Sequence, residues 1–396
     1  MSQAQTEKIG LSTTTIVSMN AMIGAGIFTV PAAMASNVGP AGILAYLFVV
    51  TSVWFMGISI ARIAELYPEE GSFYAYVKPW AGHVGGTLVT SLYFLGMVFG
   101  MGLLSQKTGE YLHSLFPDLC AHTLGLIVLV TLVTLNMFGV PLSRLGQRIL
   151  IACTVFPLLA TIAICLTHLD WSNLFPFAPY GTRNVLAATR LVIFGFFGFE
   201  CASLLFNSVK EPGKNVPRAI SYSIGIVGAL YLTFVSTLIL AVPLGYFEDP
   251  NLPLLTDVLK AVLPGNNLLI GSIHLAILSA LLGTIHSQIW SASSLMSSIT
   301  HLLTKHRKEP FSVKQQACVP ILGLLIFLTF TLVKNQALFF GFAALFVVST
   351  YIASMITLLT IPQEWRSGRN IRTLIGLATA GTIVYFAGEL IISILA

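Results

Sequence analysis

Apolar stretches of about 18 residues recur along nearly the whole chain, separated by short polar loops. In hydrocarbon every backbone N–H and C=O must find a partner within the protein, so such stretches have one solution: helices that cross a membrane and pack together. Eleven can be marked, at 13–35, 42–64, 84–106, 123–140, 148–168, 186–207, 219–242, 268–297, 317–333, 337–361 and 372–395. Only 9% of the 396 residues are charged, against about 25% in a soluble domain. That leaves one membrane domain and no room for a large soluble one. Residues 1–12 are polar and lack the charged start, apolar core and cleavage site of a secretory signal, so the first apolar segment is read as a retained helix. Cys120, Cys153, Cys165, Cys201 and Cys318 show no paired spacing and read as small packing residues, with no metal or disulfide framework.

Charge fixes an orientation. With the N-terminus in the cytoplasm, the loops alternate so that of the 20 Lys and Arg residues all but Lys107, Arg183, Arg190, Lys260 and Lys334 lie inside. That is the positive-inside pattern, and it suits a multi-pass protein of a bacterial inner (plasma) membrane. The net charge of +5 is therefore a matter of topology and implies no nucleic-acid partner.

Two spans carry glycines where a helix gains nothing from them. The first contains Ile23-Gly24-Ala25-Gly26-Ile27; the sixth contains Ile193-Phe194-Gly195-Phe196-Phe197-Gly198-Phe199-Glu200. Gly costs about 1 kcal/mol relative to Ala in a helix interior. One reading is close helix packing through small residues. The other is a pair of discontinuous helices whose gaps form a binding site. The first and sixth spans hold equivalent places in two halves of five spans each, which is the pattern of an inverted-repeat transporter.

At these residues the chain resembles the amino acid–polyamine–organocation (APC) transporter superfamily. The blocks that carry the resemblance are Gly24-Ala25-Gly26-Ile27-Phe28, Gly71-Ser72-Phe73-Tyr74-Ala75-Tyr76, Gly198-Phe199-Glu200 and Lys210-Glu211-Pro212-Gly213-Lys214-Asn215-Val216-Pro217-Arg218-Ala219. They are similar in order and spacing over about residues 10–360, and look closest to bacterial amino acid exchangers of the arginine/agmatine antiporter group. The resemblance implies an all-α integral membrane fold: a five-plus-five inverted-repeat core with discontinuous helices 1 and 6, and about 11 spans in all. It divides the chain into a cytoplasmic tail (1–12), a ten-helix core (13–361, repeats 13–168 and 186–361) and an additional helix (362–396). Proton-coupled relatives often carry a Lys three residues before Pro-Leu in the fifth span, where this chain has Thr154. That departure favours exchange, although a Thr hydroxyl can also serve an ion site. With about eleven spans where many relatives have twelve, a homodimer stays open.

An amino acid brings a carboxylate and an ammonium to the membrane midplane. A half-helix starting near Ile27 offers N–H groups and a positive dipole end to the carboxylate. Gly24 and Gly26, with Ala25 between them, allow close backbone approach. A half-helix ending near Ile193-Phe194 offers carbonyls to the ammonium. For the substrate's side chain the candidates are Phe194, where relatives place an aromatic lid, Phe197, Gly96, Met97 and Met101 on the third span, Trp290 on the eighth and Ser349 on the tenth. Each has a plain alternative as ordinary helix packing. This wall carries few charges, so a neutral or apolar side chain is expected, with a cation held by aromatic faces as the rival. Glu200, a carboxylate at membrane depth, reads as gate or proton carrier, or as an acceptor tying its span to a neighbour. Tyr93 and Tyr74 are further gate candidates; Tyr74 and Tyr76 suit interfacial anchoring equally. The stretch Pro68–Trp80 reads as an amphipathic helix on the membrane surface. His274 and His286 read as packing histidines.

No nucleotide motif, metal cluster or nucleophile constellation appears, so the chain reads as no enzyme and needs no cofactor. The expected function is secondary transport of amino acids by alternating access, with exchange preferred over proton-coupled symport. The competing classes are a non-transporting amino acid sensor of the same fold and a channel. A channel calls for a continuous polar lining or charged rings, which this sequence lacks. The expected partners are a small-molecule amino acid and the lipid bilayer.

Overall fold

The computed structural model describes residues 8–24, 26–138, 140–249, 252, 255–262, 267–304, 313–361 and 370–395. Each half of the chain opens on a broken helix. In the first half it is α1 (Leu11–Met22) followed by α2 (Gly26–Val38), and then come α3 (Gly42–Leu66), α4 (Phe73–Leu115), α5 (Ala121–Met137) and α6 (Val140–Leu166). In the second half α7 (Thr182–Val192) runs into a 3-10 turn, Ile193–Phe196, and resumes as the short α8 (Cys201–Leu204). It continues with α9 (Pro212–Ala241), α10 (Leu244–Glu248), α11 (Leu255–Val262), α12 (Asn267–Thr304), α13 (Gln315–Leu332) and α14 (Gln336–Thr360); α15 (Asn370–Leu395) ends the described chain. Among the described residues nine stretches are long and apolar enough to cross a membrane, and α5 is a shorter apolar helix. The first segment is divided by its break. All eleven expected spans thus have a helical counterpart.

Packing follows the repeat. The third span lies along the tenth (α4 on α14) as the eighth lies along the fifth (α12 on α6). The α4–α5 and α12–α13 neighbours correspond in the same way, and α3 packs on its own counterpart α9. α15 covers α14, α3 and α7.

Both faces are tied across the halves. On the face that holds the first described residues (the N-terminal face), the Ile9 N–H donates to the Ser208 carbonyl and the Lys210 N–H to the Ile9 carbonyl, each at 2.8 Å. On the opposite face the Ala41 N–H donates to the Phe177 carbonyl at 2.8 Å. There the described residues of the 243–267 connection include two short helices, α10 and α11.

The Pro68–Trp80 stretch departs from its reading. α4 bends at Gly82, whose φ of 68° is a conformation glycine tolerates. Residues 73–81 form an arm that turns beneath the bundle. Phe73, Tyr76 and Val77 are buried, and only Lys78, Pro79 and Trp80 stay exposed. The Ser72 and Ser203 hydroxyls are 2.8 Å apart, and the Thr357 hydroxyl donates to the Tyr76 carbonyl at 2.6 Å. These contacts draw the arm inward.

Candidate functional site

The first break is capped by the protein itself. A helix end leaves carbonyls without intrahelical partners. Here the Thr284 hydroxyl donates to the Asn20 carbonyl (2.8 Å) and the Tyr231 hydroxyl to the Met22 carbonyl (2.9 Å). The chain then turns through Gly24 and restarts at Gly26. A Cβ on Gly24 would lie 2.8 Å from the Thr284 hydroxyl oxygen, and one on Gly26 would lie 3.1 Å from Gly195 Cα. The two breaks therefore touch, glycine on glycine. At the second break Gly198 has φ +122°, and a Cβ there would fall 2.5–2.8 Å from Ala21, main chain included.

A narrow cavity of about 20 Å³, room for little more than a water, opens where the breaks meet. Ala21, Met22, Gly24 and Gly26 contribute from the first span, and Phe194, Gly195, Phe197 and Glu200 from the sixth. α4 adds Gly96, Met97, Gly100 and Leu104; α12 adds Thr284 and Gln288; α14 adds Val347. The polar side chains in this wall are Glu200, Thr284 and Gln288. Phe194 leans edge-on against Phe340 (4.9 Å between ring centres) and Phe197 (5.8 Å).

Glu200 is buried and accepts from two groups. The Tyr93 hydroxyl donates to Oε1 at 2.9 Å, and the Gly198 N–H donates to Oε2 at 3.0 Å. The Tyr351 hydroxyl lies beside the same carboxylate without closing a bond of good geometry. The Phe73 ring packs under Tyr93 at 4.6 Å and beside Tyr351 at 6.0 Å. The carboxylate thus joins α4 to the second break and also faces the cavity.

Of the residues singled out from sequence, Gly24, Gly26, Gly96, Met97, Phe194, Phe197 and Glu200 come together around this cavity. Ala25 lies outside the described residues. The side chains of Ile23, Ile27 and Ile193 are buried in the surrounding core, so only their backbone is offered to a ligand. Trp290 and Ser349 do not line the cavity; each stands two residues, about 200° of helix turn, from a residue that does, Gln288 and Val347. Met101 packs further round α4 and is fully buried. Tyr93 sits one layer below the cavity as the donor to Glu200. Tyr74 turns away, its hydroxyl 2.6 Å from His83 Nδ1; Phe73 holds the place under the site instead. Thr284 and Gln288 were missed. Their signal, two polar residues four apart in an apolar span, is present in the sequence. His274 and His286 hydrogen-bond Tyr111 (2.6 Å) and Asn136 (2.8 Å).

A family model described as amino acid permease matches residues 9–388. The chain is 23% identical over 266 residues to the branched-chain amino acid permease BcaP of Bacillus subtilis, covering 62% of this chain and 57% of the relative. It is 27% identical over 305 residues to a probable GABA permease of Pseudomonas aeruginosa (72% and 62%). It is 22% identical over 382 residues to the L-asparagine permease of Streptomyces coelicolor (89% and 76%). The matches with the first two span about three fifths of those relatives' length. A family match over nearly the whole chain, on a helical bundle whose first and sixth spans break against each other, establishes that this chain belongs to the amino acid permease family, a family of transporters and not of enzymes.

Proposed function

We propose that this chain carries amino acids with neutral or apolar side chains across a bacterial inner membrane by alternating access, exchanging one for another. The observation that carries the reading is the contact of the two breaks at Gly26 and Gly195 over one cavity. α2 begins at Gly26, and the first N–H groups of a helix have no intrahelical acceptor, so that end suits a carboxylate. The carbonyl end at Phe194 suits the ammonium. The remaining wall is glycine, methionine, phenylalanine and aliphatic carbon, with the uncharged Thr284 and Gln288 and one carboxylate already held by Tyr93 and Gly198. That composition supports a neutral side chain.

Exchange without a coupling cation is supported by two features. The carbonyls of Asn20 and Met22 each receive a hydroxyl from the protein, and the Thr154 hydroxyl donates to the Leu150 carbonyl (2.9 Å). In this reading the N-terminal face is cytoplasmic, residues 13–361 are the transporting core and 362–396 are an addition to it. Proteoliposomes preloaded with alanine, isoleucine or asparagine should take up the labelled amino acid, and empty ones should not. Uptake into empty vesicles driven by a proton gradient would instead establish symport. Binding without flux under either condition would make the chain a sensor.

On the proposed cytoplasmic face Glu70 joins three elements. Asn207 Nδ2 donates to its Oε2 (2.6 Å), His301 Nδ1 lies 2.9 Å from its Oε1, and Asn207 also reaches the Ser298 hydroxyl (3.1 Å). Opening toward this face must separate the loop ahead of the arm from the turn that follows α8 and from α12. Glu70→Ala should therefore favour the open form and raise maleimide labelling of buried Cys201, read by peptide mass spectrometry, by about ten-fold, the equivalent of ~1.4 kcal/mol. Labelling equal to wild type would remove Glu70 from the closure.

A further inference from the structure

A second, more open cavity, of about 290 Å³, lies toward the opposite face. Its walls come from α2 (Asn37, Val38) and α7 (Asn184, Ala187, Ala188, Arg190, Leu191). Arg190 is half-buried within the sixth span; its Nε is fully buried and has no hydrogen-bond partner among the described residues. A guanidinium at membrane depth is costly and is normally paired. The carboxylate that bears on Arg190 is Glu389 of α15, and Glu389 is already bonded by Arg183. Among the described residues no carboxylate lines this cavity. Asn37, Asn184 and Arg190 are the polar members of this lining, beside the small Ala187 and Ala188. Five N–H groups in a planar fork match a carboxylate.

The position gives the ligand its identity. Arg190 stands four residues before Phe194, about 6 Å further along the helix axis from the break. Arg190 and Phe194 lie on one stripe of α7 and its 3-10 extension. α2 borders both cavities, with Gly26 at the first and Asn37 at the second, and α7 of the second runs into the 3-10 turn that gives Phe194 and Gly195 to the first. We propose that Arg190, with Asn37 and Asn184, forms an outer subsite that takes the carboxylate of an amino acid before it passes Phe194 and after it returns. The subsite is occupied in turn with the central cavity. This inference rests on the transport reading above.

The test compares the two faces. External KM for labelled isoleucine, alanine or asparagine, whichever the wild type exchanges best, is measured in intact cells. KM from the other face is measured in inside-out vesicles. Arg190→Gln should raise the external KM about ten-fold, the loss of one charge-assisted contact, with the maximal rate and the other KM changed no more than about two-fold. Arg190→Lys, which keeps the charge but not the planar fork, should recover only part of the loss. The wild type should also prefer the amino acid over its carboxamide as external competitor, and that preference should fall with Arg190→Gln. An unchanged external KM, an equal shift on both faces, or a lower rate with KM intact overturns the subsite. A KM shift that vanishes in vesicles without anionic lipid assigns the guanidinium to a lipid phosphate and also overturns it. If wild type moves none of the three amino acids while binding them, the transport reading fails first and takes this inference with it.

Discussion

Gly198→Ala is expected to abolish transport and to lower the yield of folded protein. Two costs add. At φ +122° an L-residue sits in a region that is essentially glycine-only, at about 1–3 kcal/mol. The new methyl would also fall 2.5 Å from Ala21 Cβ and 2.6 Å from its carbonyl carbon. Main chain cannot swing aside as a flexible side chain can, so α1 must move, at roughly 1–3 kcal/mol more. A native stability of about 5–15 kcal/mol leaves little margin for the sum. The displaced element is the half-helix whose end forms the cavity, so function should fail even where folding survives. Gly381→Ala in α15 is the control: among the described residues nothing lies within 4 Å of its Cβ, and the change should be neutral or slightly stabilising, by up to about 1 kcal/mol. The measurements are detergent melting curves and exchange in proteoliposomes. If the two variants behave alike, Gly198 is not pressed against α1 as described.

Glu200→Ala should come next in severity, and Glu200→Gln should be far milder. Alanine strips the acceptor from two buried donors, the Tyr93 hydroxyl and the Gly198 N–H. Each orphaned group costs about 1–3 kcal/mol. Glutamine can offer its amide oxygen to the Gly198 N–H and its NH2 to the Tyr93 oxygen, because a tyrosine hydroxyl both donates and accepts. The alanine variant should therefore lose at least about 30-fold in exchange, in line with ~2 kcal/mol. The glutamine variant should keep the fold and a substantial rate at pH 7. Its rate between about pH 5 and 8 then separates gate from proton carrier. A flattened profile gives the carboxyl a proton step, and a profile parallel to wild type leaves it as the tie between α4 and the second break. Full exchange by Glu200→Ala would remove the residue from either role.

The breaks were legible because glycine inside an apolar span contradicts what the rest of the span is for. Glu200 was legible for the same reason, as a charge where charge is costly. What failed was rotation. Thr284 and Gln288 mark one face of α12, but Ser287, Ser291, Ser293 and Ser294 spread polar groups around the same span, so the cavity side cannot be picked out locally. The more conspicuous aromatic was chosen, and the amide and Thr284 were missed. The same ambiguity exchanged Tyr74 for Phe73, whose inward turn depends on the bend at Gly82 and on Ser203 and Thr357, partners 131 and 281 positions away from the residues they bind. The meeting of Gly26 with Gly195 is likewise tertiary: each glycine was visible, but not that they were each other's neighbour.

The pairing of Ile9 with Ser208 and Lys210 has a mechanical consequence. It fastens the segment leading into α1 to the segment that follows α8, while within the helices Ser18 receives the Ala202 N–H (3.1 Å). Pinned at two points, the two half-helices form one lever rather than two independent flaps. A swing of either carries the other, so the floor of the cavity can tilt as a unit but cannot be taken apart in halves. A bulky graft just ahead of Ile9 would load that lever at its tip and slow turnover without touching any residue that meets the substrate.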